Sequence, residues 1–305
     1  MLNYFTAGTF LLLIFYLKQS HERLVMTKIH PIFSFAALIN IILLLTACAQ
    51  NDPRETARVF TKKSGLTSTQ FATSWINLQG WQRIAPPVSL VRIYIEGDGF
   101  AWMSRTQPSA DPTPRNPVGL QLAAADKSAN VIYLARPCQF IGPPLPAVCT
   151  THLWTDKRFS SEVVQAMDEA ISQAVQPYPQ AKIELVGYSG GATIAAQLAA
   201  RRRDVVSLRT VAGNLDVAYV NALHHVSAMP DALSAINVAT DLKNLPQLHI
   251  SGGDDSTVPP AVATRFQRAT GTQCAKVVSV PGMRHGSDWA AVWPGLLARP
   301  LNCEP

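Results

Sequence analysis

Between Lys182 and Ala200 the chain reads KIELV, then Gly187-Tyr188-Ser189-Gly190-Gly191, then ATIAAQLAA. A β-branched apolar run, a glycine-flanked serine and a small-residue helical run in direct succession admit few folds. The strand must be buried, the turn sharp, and the helix packed closely back on the sheet. Side chains at the flanking glycine positions would collide with the neighbouring strand and helix. Glycine therefore keeps the turn tight and leaves the Ser189 hydroxyl exposed. A glycine-rich β–α turn can instead bind phosphate at the helix N-terminus. This segment lacks the lysine of a P-loop and the spacing of a dinucleotide fingerprint. Ser189 is accordingly read as a nucleophile.

The same alternation runs along the chain. Strands are expected within Phe71–Ile84 and at Leu90–Ile95, Val131–Leu134, Ile183–Val186, Val205–Val211, Gln247–Ile250 and Val277–Val280. Helices are expected at Gly119–Ala125, Ala192–Ala200, Ala261–Arg268 and Trp289–Leu297. Another starts at Ser160 or Ser161 as N-cap, with Val163, Val164, Met167, Ala170, Ile171 and Ala174 on one face. Such β–α alternation implies a mostly parallel central sheet with helices on both faces. Residues 214–245 fit the pattern poorly and read as a small cap insertion. Residues 67–305 read as one domain, and a chain with 48% hydrophobic and 15% charged residues can bury a sizeable core. The formal net charge of +6 includes one dense run, Arg201-Arg202-Arg203, at the end of an expected helix. Cations there complement the helix dipole, so the run gives no case for nucleic-acid binding.

With these features the chain resembles the α/β-hydrolase superfamily over roughly residues 70–300. The resemblance implies a triad in the order Ser, acid, His. The acid is sought in Ser251-Gly252-Gly253-Asp254-Asp255-Ser256-Thr257-Val258-Pro259, which resembles the family pattern G-x-x-D-x-x-V-P. That pattern points to Asp255, with Asp254 as the rival; as plain turn residues both would cap the helix after Pro259-Pro260. The base is His285, which follows the last strand and precedes the last helix. Of the others in this region, His152 falls in a loop, His249 in a strand, and His224-His225 in the insertion. A serine hydroxyl is a poor nucleophile until a neutral imidazole takes its proton, and the carboxylate orients that imidazole. An ordinary imidazole titrates near 6.5, so activity is expected to fall in acid.

Acyl transfer also needs backbone N–H donors for the developing oxyanion. The resemblance assigns one to Gly190 and the other to Asp98, or next to it Gly97. The family has His-Gly here, whereas this chain has Glu96-Gly97-Asp98. An acid beside an anion hole must point away or pair with a cation such as Arg105. The implied activity is hydrolysis of a carboxylic ester, or a thioester or amide, of a small acyl substrate through an acyl-serine intermediate. No cofactor or metal is implied. Acyl transfer to another acceptor uses the same triad, and a non-catalytic surface binding module could keep the same fold. Trp102, Trp154, Trp289 and Trp293 suggest an apolar acyl pocket, or else core.

Residues 1–47 read as a targeting segment. Met26, Lys28 and His30 precede an apolar run ending in Leu45-Thr46-Ala47-Cys48. This resembles a bacterial lipoprotein signal, with Met26 as the better start and Cys48 as the lipidated residue. The apolar run of Ile32–Leu45 is shorter than the roughly 20 residues that span a bilayer. Residues 49–66 read as a polar tether, so the protein is expected to be lipid-anchored in the cell envelope, facing the periplasm. Ala49 after the lipidated cysteine favours the outer membrane by resemblance to enteric sorting rules. Setting Cys48 aside leaves Cys138, Cys149, Cys274 and Cys303, an even number that suggests two disulfides with three possible connectivities. Pairing Cys138 with Cys149 would close a Pro-rich loop, and pairing Cys274 with Cys303 would pin the C-terminus to the last strand. No cysteine pair has zinc-ligand spacing.

Overall fold

The computed structural model describes residues 52–303. The targeting segment, the alternative start at Met26 and the candidate lipidation site Cys48 lie outside the described residues.

Eight strands form one sheet: β1 (Thr67–Ala72), β2 (Asn77–Arg83), β3 (Leu90–Ile95), β4 (Val131–Leu134), β5 (Lys182–Tyr188), β6 (Val205–Val211), β7 (Gln247–Gly252) and β8 (Ala275–Val280). Their spatial order is β1-β2-β4-β3-β5-β6-β7-β8. β1 and β2 pair antiparallel, β2 joins β4 antiparallel, and all pairings from β4 to β8 are parallel. The order reverses direction beside β3 and β5. In an open parallel sheet that switch point leaves a crevice beyond the C-terminal strand ends.

Among the described residues seven α-helices cover the sheet: α1 (Pro53–Ser64), α2 (Val118–Ala125), α3 (Ser161–Val175), α4 (Gly190–Arg201), α5 (Val217–Leu223), α6 (Pro260–Thr270) and α7 (Trp289–Leu297). The period-2 alternation of each strand divides the core between the two faces. Val91, Ile93 and Ile95 of β3 pack with Val163 and Met167 of α3, Ile194 of α4 and Phe266 of α6. Tyr94, between them in sequence, packs on the opposite face with Leu120 and Leu122 of α2 and Trp289 and Trp293 of α7. Trp154, Trp289 and Trp293 are therefore core residues, while Trp102 is exposed.

The expected tether is in large part a helix. Asp52 caps α1 by accepting from the Arg54 N–H, Pro53 occupies the first turn, and Gly65 ends the helix in the left-handed conformation at φ 71°. Ala57 and Thr61, one turn apart, are buried, and Arg54 bonds Asp111 at 2.6 Å. Two inward residues and one long-range ion pair dock the helix, which is too short an apolar pattern to read as amphipathic.

The insertion at 214–245 holds α5 and a 3-10 helix, Ala235–Leu242. It packs on α4 and α6, and Gln197 of α4 donates to the Ser234 carbonyl at 2.9 Å. The basic run after α4 is structural at Arg202, which pairs with both Asp168 and Asp204 at 2.6 Å. The disulfides are Cys138–Cys149 and Cys274–Cys303. Among the described residues no helix is long and apolar enough to cross a membrane.

Candidate active site

Ser189 sits between β5 and α4 with φ 51° and ψ −120°. A side chain in that region costs on the order of 1–3 kcal/mol and persists only where its surroundings hold it. Here the Ser189 N–H donates to Val211 O at 3.0 Å, and the Ser189 carbonyl accepts from Ala192 at 3.1 Å and Asn214 at 3.0 Å. Close packing dictates the glycine two residues earlier: a Cβ on Gly187 would lie 2.5 Å from the Ala192 Cα. The turn thus lifts the serine hydroxyl out of the sheet edge.

β7 and β8 deliver the two partners. His285 Nε2 lies 2.9 Å from Ser189 Oγ, and its Nδ1 lies 2.8 Å from Asp255 Oδ2. The other Asp255 oxygen accepts from the Thr257 and Val258 N–H groups at 2.9 and 2.8 Å. Asp255 is thereby fixed with one oxygen aimed at the imidazole, and its side chain is wholly buried. Asp254 is exposed. The His285 carbonyl accepts from Tyr188 Oη at 3.0 Å and Trp289 Nε1 at 2.9 Å, which anchors the loop between β8 and α7. The other histidines considered for this role are elsewhere. His152 bonds Asp156 at 2.8 Å, His224 contacts the Thr257 carbonyl at 2.7 Å, and His249 is buried in β7 beside Thr210.

The loop after β3 supplies the facing wall. Glu96 is fully enclosed and turned away from the serine: its oxygens accept from the Gly97, Gly119 and Leu120 N–H groups and the Tyr133 hydroxyl, at 2.9–3.2 Å. Burial raises its pKa above the ordinary carboxylate value despite these donors. Of the two donors expected here, Gly97 has its N–H committed to Glu96 Oε1. The Asp98 and Gly190 N–H groups have no acceptor among the described residues.

The Asp98 carboxylate pairs with Arg158 at 3.0 Å and Arg136 at 3.4 Å. The cation expected for this loop, Arg105, is exposed and takes no part. Arg136 is buried, and desolvation lowers its pKa to about 10. Gln139, three residues on, bonds the Gly97 carbonyl at 3.0 Å. The β4–α3 loop, closed by Cys138–Cys149, therefore braces the β3 loop from behind.

Above Ser189 and His285 lies a cavity of about 280 Å³, walled by Phe100, Pro114, Arg115 and Asn116. No residue of the 214–245 insertion lines it; the loop from Gly97 to Asn116 does. Among the described residues no cluster of three or more His, Cys, Asp or Glu could hold a metal.

No protein-family model matches this sequence, and no curated protein matches it. Solved structures are similar to it. An acylaminoacyl peptidase of Pyrococcus horikoshii aligns over 79% of this chain with TM-score 0.57 and 14% identity, and this chain spans 42% of that protein. An esterase of Pyrococcus furiosus aligns over 78% of this chain and 90% of its own, with TM-score 0.55 and 13% identity. The chain has the α/β-hydrolase fold. An α/β serine hydrolase homologue from Coxiella burnetii aligns over 75% of this chain and 92% of its own, with TM-score 0.50 and 16% identity.

Within this α/β-hydrolase fold, sequence reasoning missed the Arg136–Asp98–Arg158 cluster and the four-donor seat of Glu96. Arg136 lies 38 positions from Asp98 and Arg158 lies 60, and no local pattern signals such pairings. A weak signal existed for Glu96: an acid at a strand end, followed 22 positions later by the start of a helix whose N–H groups need acceptors.

Proposed function

We propose that this protein is a serine hydrolase that cleaves a carboxylic ester through an acyl-serine intermediate, with Ser189, His285 and Asp255 as its triad. The observation that carries the reading is the unbroken relay from Ser189 Oγ through the His285 ring to a buried Asp255, opening on a cavity lined by Ser189, His285 and Asp98. In this reading Ser189 Oγ attacks the ester carbonyl carbon while His285 Nε2 takes its proton. The carbonyl oxygen gathers negative charge and is met by the Asp98 and Gly190 N–H groups. Collapse expels the alcohol, which receives the proton from His285. Water then attacks the acyl-serine by the same route and releases the acid. Asp255 keeps Nδ1 protonated and stabilises the imidazolium formed at each step.

The lipobox-like Leu45-Thr46-Ala47-Cys48 supports an envelope lipoprotein anchored through Cys48.

The test is turnover of p-nitrophenyl butyrate by the full-length protein in detergent. Wild type should release nitrophenolate, and Ser189→Ala should lose on the order of 10³-fold or more in kcat. Equal rates for the two proteins would refute the assignment.

A further inference from the structure

A second and larger cavity adjoins the first. It measures about 580 Å³ and lies between α1, α2 and α7. The two cavities share Asn116 and Gly286 as a common rim, and Gly286 directly follows His285. Asn116 bridges that rim, its amide 3.4 Å from the Gly286 carbonyl and its side-chain oxygen held by Gln121 at 2.8 Å. The Asn116–Gly286 contact is what separates this groove from the 280 Å³ cavity at the serine.

The lining has a definite chemistry. Ala124 and Ala291 face the groove from α2 and α7, and Phe60 closes it from α1. Short side chains on two facing helices keep the volume open where larger ones would fill it. Lys63 and Lys127 stand at its edge, both exposed, and neither forms an ion pair among the described residues. Each lies at or just past the end of a helix, where the dipole also favours a cation. The groove's carboxylate, Asp288, is occupied as the cap of α7, accepting from Ala291 N at 3.1 Å. Along the way from the serine, Glu96 and Asp98 are already satisfied, while Arg115 stacks on Phe100 at 3.8 Å without a carboxylate partner. Three cations without carboxylate partners, Arg115, Lys63 and Lys127, therefore border the two cavities, with one carboxylate, Asp288, in the larger, over an apolar floor.

We propose that this groove receives the distal part of the ester substrate and that this part is an apolar chain ending in an anionic group. The proposal rests on the serine-hydrolase reading above. An apolar chain covers the alanines and Phe60, and its terminal charge meets Lys63 and Lys127, which holds the ester at the serine.

The experiment compares kcat/KM for p-nitrophenyl esters of C4, C6, C8 and C10 dicarboxylic acids, free or methyl-capped at the far end, plus a phosphate-terminated C8 ester. The expected result is a five-fold or greater preference for charged over capped esters at C8 and C10, absent at C4. The carboxylate and phosphate arms rank the two anions. The double substitution Lys63→Glu/Lys127→Glu should abolish or reverse the preference, and Lys63→Arg/Lys127→Arg should retain it. Ala291→Phe should lower kcat/KM for the C10 acid ester more than for the C4 one. A charged-to-capped ratio of one at every length, or a preference that survives charge reversal, overturns the proposal. If wild type turns over none of these esters and Ser189 resists covalent labelling, the hydrolase reading itself falls and takes this proposal with it.

Discussion

Tyr188 donates its hydroxyl to the backbone carbonyl of His285 at 3.0 Å, so the residue before Ser189 fixes the loop that carries His285. The Tyr188 ring also lies against the His285 imidazole, with centroids 5.4 Å apart. Tyr188→Phe keeps the ring and removes the donor, leaving the carbonyl with Trp289 alone. We expect a loss of about 1 kcal/mol in stability and a several-fold fall in kcat with KM nearly unchanged. Thermal unfolding and ester kinetics read the two effects separately.

Asp254 and Asp255 are adjacent in sequence but opposite in exposure. Asp255→Asn presents an amide where His285 needs an acceptor and should lower kcat by about 10³–10⁴-fold. Asp254→Asn should stay within two-fold of wild type. Steady-state kinetics on both variants decides between them.

The Asp98 carboxylate lies directly over the Gly190 α-carbon, so any side chain at 190 would collide with it. Gly190→Ala should push Asp98 and its N–H out of place and cost about 10²–10³-fold in kcat, the scale of losing one oxyanion donor. An unchanged kcat would place the oxyanion elsewhere.

His249 is buried in β7 with its Nδ1 3.0 Å from the Thr210 hydroxyl, and burial lowers its pKa to about 3. The unfolded chain takes up this proton near 6.5, whereas the folded one does so only near 3. Between those values the unfolded state binds more protons, so stability falls as the pH is lowered. His249→Gln should remove about 1 kcal/mol per pH unit of that slope between pH 6 and 4, measured by denaturant unfolding.

The two disulfides should separate. Cys138→Ser/Cys149→Ser loosens the loop that carries Arg136 and Gln139, so it should cost about 2–4 kcal/mol in stability and also lower activity. Cys274→Ser/Cys303→Ser should lower stability while leaving kcat near wild type.

The parts legible in the sequence were those encoded locally. The GYSGG turn announced itself through a strand and helix on either side, and His285 through its place after the last strand. Helix α7 was readable from Trp289 to Leu297 because its apolar pattern is continuous. The parts that were not legible depend on distant partners. Helix α1 looked like a tether because its inward face is carried by Ala57 and Thr61, only one of them apolar. The neutraliser of Asp98 looked like nearby Arg105, but a half-buried carboxylate takes whichever cations the fold brings up, here Arg136 and Arg158. The tryptophans looked available to a pocket, yet large aromatic residues favour the core, where three of the four suggested for it lie.

The central claim is that Ser189 is an activated nucleophile. The most direct measurement is intact-protein mass spectrometry after exposure to a fluorophosphonate, with the modified peptide mapped. The account predicts a single adduct on Ser189 in wild type, none in Ser189→Ala, and labelling slowed by at least 10²-fold in His285→Ala. A folded, oxidised wild type that forms no adduct at Ser189 would contradict it.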